Sequence, residues 1–484
     1  MSRFPSSDRR GSSGRRRPAA PAPAIQAIEP YANGRVLAWA ALQQAERDEA
    51  FLQEIFSDFD QRHHLSGAER ALAVDIASGV IRRRRTLDRI LETRVARPRS
   101  QTEPELWQIL RMGGYQLLFA RTPQHAAVAA TVELCRLLGR ERWTGFVNGI
   151  LRSICRLTEV PPETPTPVGP ARSALPVHGG RWLPLTEEIF PDPQTERAAW
   201  FGDAFSMPSV LATRWAARMD EPTLLRTGFC CAEPPGITIR VNLHATTLQN
   251  VTDLLTAGGC EVQRGHLPCS LLLPRSQRID QLPGWADGLW SVQDESAMQA
   301  GLLVGPRPGE RILDLCAAPG GKSAHIAELS ADQAIITACD VSDRRLRKVG
   351  ENAQRLRLHS VHPRLISRDG SDLPIGPFDA AIVDAPCTNT GVLARRPEAR
   401  WRFSEQGQHE LIVLQTRLLL EAIQRVRPGG RIVYSTCSIE PEENLGVVQA
   451  VLKAMPDLQL LRQQEHLPGQ PSDGAWQCLL RKPG

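Results

Sequence analysis

Arg311-Ile312-Leu313-Asp314-Leu315-Cys316-Ala317-Ala318-Pro319-Gly320-Gly321-Lys322 runs from an apolar stretch of strand length into a glycine-rich turn. Short apolar runs bounded by turn residues mark a buried strand. Glycines let the backbone pass close to a ligand, and the helix that follows presents unpaired N–H groups at its start. The same grammar continues downstream, with apolar runs at 335–340, 364–367, 379–384 and 431–435 and helical segments such as 344–358 and 410–426 between them. Strand and helix in alternation predict a doubly wound, mostly parallel sheet that binds ligands at the carboxyl ends of its strands. Residues 290–484 are therefore read as an α/β, Rossmann-like domain.

Four strands end in residues able to do chemistry. The first ends at Asp314 and Cys316, the second at Asp340, the third at Asp369 and the fourth at Asp384. Asp340 stands where Rossmann-like folds place an acid on ribose hydroxyls, and Asp369 is placed to accept from an adenine amine. A lone Asp at a strand end is ordinarily a turn former or a helix cap. Three in register with a glycine turn point instead to a nucleotide-type cofactor. The dinucleotide pattern G-x-G-x-x-G is absent. Gly321-Lys322-Ser323 nearly completes a P-loop and Ala381-Ile382-Val383-Asp384 resembles a Walker B strand, but Cys316 occupies the leading glycine position and Pro319 removes a phosphate-binding N–H. An ATPase is the weaker alternative.

Two cysteines lie just past strand ends, in Asp384-Ala385-Pro386-Cys387 and Tyr434-Ser435-Thr436-Cys437-Ser438. A thiolate beside such a cofactor suits methylation of a carbon too electron-poor to take a methyl group from S-adenosylmethionine unaided. C5 of cytosine is such a carbon. Thiolate addition at C6 makes an enamine-like ring whose C5 is nucleophilic, and loss of the C5 proton then expels the thiol. The chemistry needs one activated Cys, an acid near the base and a means of breaking the adduct. The bland reading of a free Cys is a small buried hydrophobe. Cys135, Cys155, Cys230, Cys231, Cys260, Cys269, Cys339 and Cys478 are read that way, and at Cys316 the backbone matters rather than the thiol. Eleven cysteines without C-x-x-C spacing give neither a zinc site nor a disulfide framework. Reduced thiols in the cytoplasm, and no metal, are expected.

At 484 residues the chain holds several domains, and 42% hydrophobic content supports proper cores. No run approaches the ~18 apolar residues of a membrane span. Residues 1–28 read as a disordered tail whose six arginines against Asp8 account for the whole formal excess of +5. Residues 29–159 carry helical periodicity: Leu72, Ile76 and Val80, then Leu106, Leu110, Gly113 and Leu117, then Val128, Val132 and Cys135. Ser66 and Glu69 form a capping box before the first of these stripes, and the whole reads as an all-α bundle. Residues 160–185, rich in Pro and Thr, read as a linker. Residues 186–289 read as a small α+β connector, with a helix near 209–218, a strand at 237–242, helix at 254–257 and a short strand at 271–273.

Residues 314–322 (DLCAAPGGK), 384–391 (DAPCTNTG), 398–402 (EARWR) and 434–444 (YSTCSIEPEEN) resemble the motifs of the RsmB/Sun family of RNA cytosine-C5 methyltransferases. Val292-Gln293-Asp294-Glu295 and Asp473-Gly474-Ala475-Trp476 resemble segments flanking that catalytic domain, and residues 110–118 and 145–152 resemble the RNA-binding NusB fold. The resemblance implies that Cys437 attacks C6, that Cys387 assists breakdown of the adduct, and that Asp384 contacts both the methionine end of the cofactor and the base. It implies that Cys316, Ala317, Ala318, Pro319, Gly320, Gly321, Lys322, Asp340, Asp369 and Asp384 hold S-adenosylmethionine. The NusB-like region implies 16S ribosomal RNA as the partner, bound by a monomer. Where the family usually has Ser-Gly after Pro-Cys, this chain has Thr388-Asn389, a bulkier loop that bears on product release. Arginines at 82–85, 395–396 and 400–402 are candidates to track phosphates, although such a patch alone is more often a solvated face. The alternatives are the same chemistry on transfer RNA, or a non-catalytic NusB-like RNA-binding or antitermination factor.

Overall fold

The computed structural model describes residues 33–48, 50–62, 67–274, 278–470 and 472–484. The arginine-rich tail and the capping residue Ser66 lie outside them. By contacts the chain forms two compact units, Met1–Asp75 and Ile76–Gly484, with the border inside the helix Gly67–Arg82. In the first unit the helices Gly34–Asp48 and Leu52–Arg62 bury Leu37, Ala41, Ile55 and Phe56. Glu69, expected to reach back to Ser66, accepts a hydrogen bond from the Gly34 N–H.

The second unit opens with helices Arg84–Glu92, Pro104–Leu118, Gln124–Leu137 and Thr144–Leu157. Leu106, Leu110 and Cys135 are buried as the periodicity required. Gly113 permits close helix packing, because a Cβ there would stand 2.6 Å from Leu151 Cδ2. A buried carboxylate ties three segments: Asp88 accepts from Trp107 Nε1 (2.7 Å), Arg111 Nε (2.6 Å) and Arg99 Nη1 (2.9 Å).

The Pro-rich stretch contains an antiparallel ribbon, Ala174–Val177 with Arg181–Pro184. Gly179 and Gly180 turn it at φ of +76° and +69°, the Gly-Gly signal of a tight hairpin. The connector helix Ser209–Arg218 and strands Ile237–Val241 and Ser270–Leu273 fall where the pattern placed them. Helices Arg197–Ala204 and Glu221–Ala232 were not foreseen. Trp290–Val292 pairs with Ile237–Val241 and so belongs to the connector's sheet.

The large sheet has seven strands: β1 Arg311–Asp314, β2 Ile335–Asp340, β3 Val361–Leu365, β4 Phe378–Asp384, β5 Val426–Thr436, β6 Gln459–His466 and β7 Ala475–Arg481. Their order is β3-β2-β1-β4-β5-β7-β6, and β7 alone runs against the direction of the other six. Alternate residues feed two cores, Leu313, Val383 and Tyr434 on one face and Ile312, Ile382 and Val433 on the other. Helices cover both faces, which is why these strands read as continuous apolar runs. Chain order reverses between β1 and β4, so the ligand cleft opens at their carboxyl ends.

Candidate active site

The turn after β1 is held from behind. Gly320 adopts φ +100°, and a Cβ there would meet Val349 Cα at 3.1 Å. Arg345 Nη2 donates to the Ala318 carbonyl (2.7 Å), Asn352 Nδ2 to that of Pro319 (3.0 Å), and the Ala317 N–H to Cys339 O (2.8 Å). Asp314 is fully buried. Its Oδ2 accepts from Ser323 Oγ at 2.6 Å, and its Oδ1 has no partner. Burial pushes its carboxyl up to about 7, against the opposing Ser323 hydrogen bond. Burial also drives the Cys316 thiol well above its ordinary range, as befits a position used for its backbone.

Asp340 is buried at the end of β2, where it accepts from the Ser342 N–H (2.9 Å) and faces Arg345 at 3.6 Å. Asp369 lies on an exposed turn beyond β3, accepting from Ser371 N–H (3.1 Å) and Oγ (2.9 Å). The hydroxyl of Ser367 and these bonds lower its carboxyl to about 2. At the end of β4, Asp384 pairs with Lys322 Nζ at 2.7 Å. Burial pulls Lys322 down, but Asp384 outweighs it and the ammonium is held above its ordinary value.

Strands β4 and β5 are parallel neighbours with Asp384 opposite Ser435. Cys387 and Cys437 therefore emerge at the same edge, with their sulfurs 3.3 Å apart. Donation from the Cys387 thiol holds Cys437 below the ordinary cysteine range; Arg396 and Lys322 add to this, while burial and Asp384 oppose it. The same contact, with burial, pushes Cys387 well above that range. The arrangement favours ionisation of Cys437 over Cys387.

Several contacts here had no place in the sequence reading, although it named the residues that make them. Asn389 occupies the left-handed region at φ +61°, which Asn tolerates best after Gly. Its Nδ2 donates to Cys387 O (2.8 Å), and its Oδ1 lies 2.9 Å from Arg396 Nη1 and 3.3 Å from Cys437 Sγ. Gly391 N–H donates to Cys437 O at 2.9 Å, and Gly474 N–H to Gly391 O at 2.8 Å, which brings the thiol loops against the Asp473-Gly474 segment. Arg395 binds Asp294 at 3.0 Å and also Asp473, joining both flanking motifs. No sequence spacing announces these long-range contacts.

The arginine patches are corrected at Arg82, Arg83, Arg85 and Arg400, whereas Arg396 and Arg402 are exposed. Arg82 and Arg83 are buried, donating to Ala394 O (3.0 Å) and Pro176 O (2.9 Å), and Arg85 pairs with Asp203 at 2.6 Å. Arg400, fully buried, donates to the carbonyls of Arg82, Ser206, Cys231 and Leu393. Trp401 Nε1 donates to Ile81 O at 2.9 Å. These side chains satisfy carbonyls, those of Ile81, Arg82 and Cys231 in the last turn of a helix, or at Arg85 a carboxylate, and are not available to phosphates.

A β3-β2-β1-β4-β5-β7-β6 sheet with a glycine turn and acids at its switch point defines a class I, S-adenosylmethionine-dependent methyltransferase domain. The family model described as 16S rRNA methyltransferase RsmB/F matches residues 301–476, and that of the NusB family matches residues 32–156. A probable ribosomal RNA small subunit methyltransferase B of Synechocystis is 32% identical over 88% of this chain and 90% of its own. The ribosomal RNA small subunit methyltransferase B of Salmonella newport is 30% identical over 93% of this chain and 99% of its own. The chain belongs to the RsmB/F family of ribosomal RNA methyltransferases. Among solved structures, PH0851 aligns with TM-score 0.71 at 23% identity, covering 94% of this chain and 99% of its own. A methyltransferase homologue from Pyrococcus horikoshii aligns with TM-score 0.53 at 27% identity, over 60% of this chain and 99% of its own.

The site fits the cofactor. The orphaned, buried Asp314 Oδ1 can accept from a donor of the kind an ammonium or hydroxyl supplies.

Proposed function

We propose that this protein methylates C5 of a cytosine in 16S ribosomal RNA through a covalent bond from Cys437 to C6. The observation that carries this reading is the pair of sulfurs, Cys437 and Cys387, 3.3 Å apart beside the Asp384–Lys322 pair. Cys437 Sγ adds to C6. Asp384 orients the base, and Lys322 balances its charge. Adduct breakdown releases the C5 proton to a base as the C6–Sγ bond breaks and Cys437 leaves as thiolate; Cys387, once its own proton has gone, is placed to take it. Bound S-adenosylmethionine supplies the methyl group that C5 takes up. Residues 316–322, Asp340 and Asp369 are proposed to hold that cofactor.

The proposed division of labour follows the expected order: the NusB-like residues 29–159 select the RNA, the connector, which takes in the strand Trp290–Val292, joins the parts, and the Rossmann-like domain after it catalyses. A catalytic pocket sees little beyond a flipped base, so the choice of RNA falls to the added domain. Incubation with labelled S-adenosylmethionine and naked 16S RNA, assembled small subunits or transfer RNA, followed by mapping of 5-methylcytosine, tests the reading. Label confined to transfer RNA refutes the substrate, and no label in any RNA favours a non-catalytic factor.

A further inference from the structure

Glu443 has no assigned role, and its side chain touches neither thiol. It is fully buried, and its carboxylate collects four neutral donors. Oε1 accepts from Thr388 Oγ1 and from Ser438 Oγ (2.9 Å); Oε2 accepts from the Thr388 N–H (2.9 Å) and Gln415 Nε2 (3.0 Å). Thr388 directly follows Cys387, and Ser438 directly follows Cys437. Gln415 Nε2 also donates to Pro386 O at 2.8 Å, just before Cys387. The Ser438 hydroxyl meets Thr388 Oγ1 at 3.2 Å and Thr390 Oγ1 at 3.1 Å, so one polar knot binds the two loops.

We infer that Glu443 is a positioning residue that sets the spacing of the two thiols, by fastening the residue after each cysteine to a single carboxylate. The inference rests on the reading of Cys437 as nucleophile and Cys387 as its partner. The ladder between β4 and β5 ends at Asp384 and Ser435, so both sulfurs lie beyond the backbone pairing that would fix them. A contact between two sulfurs weakens within a fraction of an ångström, and something else must hold it. An ionised carboxylate offers four acceptor sites and no donor, whereas Gln turns two of those sites into donors. Gln can keep its oxygen on the two N–H donors only by turning its NH2 to the Thr388 and Ser438 hydroxyls, which must then accept instead of donating, so the knot that binds the two loops is rewired. Burial pushes the Glu443 carboxyl up, and the hydrogen bonds from Thr388, Gln415 and Ser438 oppose that rise, which is the cost of placing such a group here.

The test uses full-length protein and alkylation of Cys437 by iodoacetamide, read at its own peptide by mass spectrometry across pH. Cys387, Asp384, Lys322 and Arg396, which face Cys437, stay in place in every variant; Glu443→Gln also removes a charge that raises Cys387, and Thr388→Val, which keeps that charge, separates spacing from charge. In Glu443→Gln and in Thr388→Val the Cys437 midpoint moves up by about one unit, slowing alkylation near neutral pH about tenfold. Methyl transfer falls in kcat, and the KM for S-adenosylmethionine holds. Thr388→Ser, which keeps the hydroxyl, stays at the wild-type midpoint. If Glu443 serves the fold alone, the melting temperature falls while the midpoint stays, and the inference is overturned. Should Glu443→Gln fail to fold, Thr388→Val decides by the same criterion. Failure of the underlying reading is separate and visible: Cys437→Ala would then retain methyl transfer.

Discussion

Gly391→Ala asks one methyl group to enter a space bounded by backbone. Its Cβ would lie 2.3 Å from Gly474 O, 2.6 Å from Gly474 C and 2.9 Å from Cys437 O. None of these atoms can rotate away as a side chain would, so the chain must open. Opening breaks the bonds from Gly391 N–H to Cys437 O and from Gly474 N–H to Gly391 O. Two such bonds contribute about 1 kcal/mol each, and overpacking adds about 1–3 kcal/mol. The expected loss is therefore about 3–5 kcal/mol, a large part of the 5–15 kcal/mol typical of a domain. Urea unfolding at fixed slope measures it, and methyl transfer corrected for the folded fraction should fall further, because the displaced segment carries Cys437. Gly149→Ala is the control: it lies within helix Thr144–Leu157 with nothing inside 4 Å of its Cβ. There, Ala should stabilise by about 0.5–1 kcal/mol. A Gly391→Ala protein within about 1 kcal/mol of wild type and fully active would refute the packing of the thiol loops described above.

Other consequences follow from the same geometry. Cys387→Ala should accumulate a denaturation-resistant RNA adduct on gels, and Cys437→Ala should form none; the reverse pattern would show the thiol roles exchanged. The buried Asp314 carboxyl is raised to about 7, so its contribution to stability is complete below the unfolded carboxylate range and is lost as pH climbs through that value. Urea midpoints should therefore show wild type losing about 3 kcal/mol between about pH 5 and about pH 8, with Asp314→Asn flattening the slope. Arg400→Met removes the donor to four carbonyls and should cost about 3 kcal/mol or more. Arg400→Lys should not rescue it, because an ammonium cannot reproduce the planar fork. RNA affinity of the folded fraction, and its salt slope, should be unchanged.

Local pattern carried much of this protein into view. The alternation that announced the sheet is visible because strands such as β1 and β4 are buried on both faces and bear apolar residues throughout. The acids at strand ends and the two cysteines are legible for a related reason: each lies within a few residues of a strand whose register is fixed by the ladder. β6 was missed, because Gln459–His466 is a polar edge strand of mixed exposure. The hairpin at Ala174–Val177 hid under a Pro-rich composition despite its Gly-Gly turn.

Residue order by itself settled the Rossmann-like half, the helical half and which cysteines lie near the ligand edge. Tertiary structure decided what sequence separation conceals. It showed that Arg82, Arg83 and Arg400 spend their charge on carbonyls, that Arg395 joins Asp294 to Asp473, and that Glu443 holds the loops behind both thiols. Periodicity reports which face of an element is buried. It carries no record of which distant polar group a buried charge will meet, and that meeting determines whether an arginine faces solvent or caps a helix, and how close two sulfurs come.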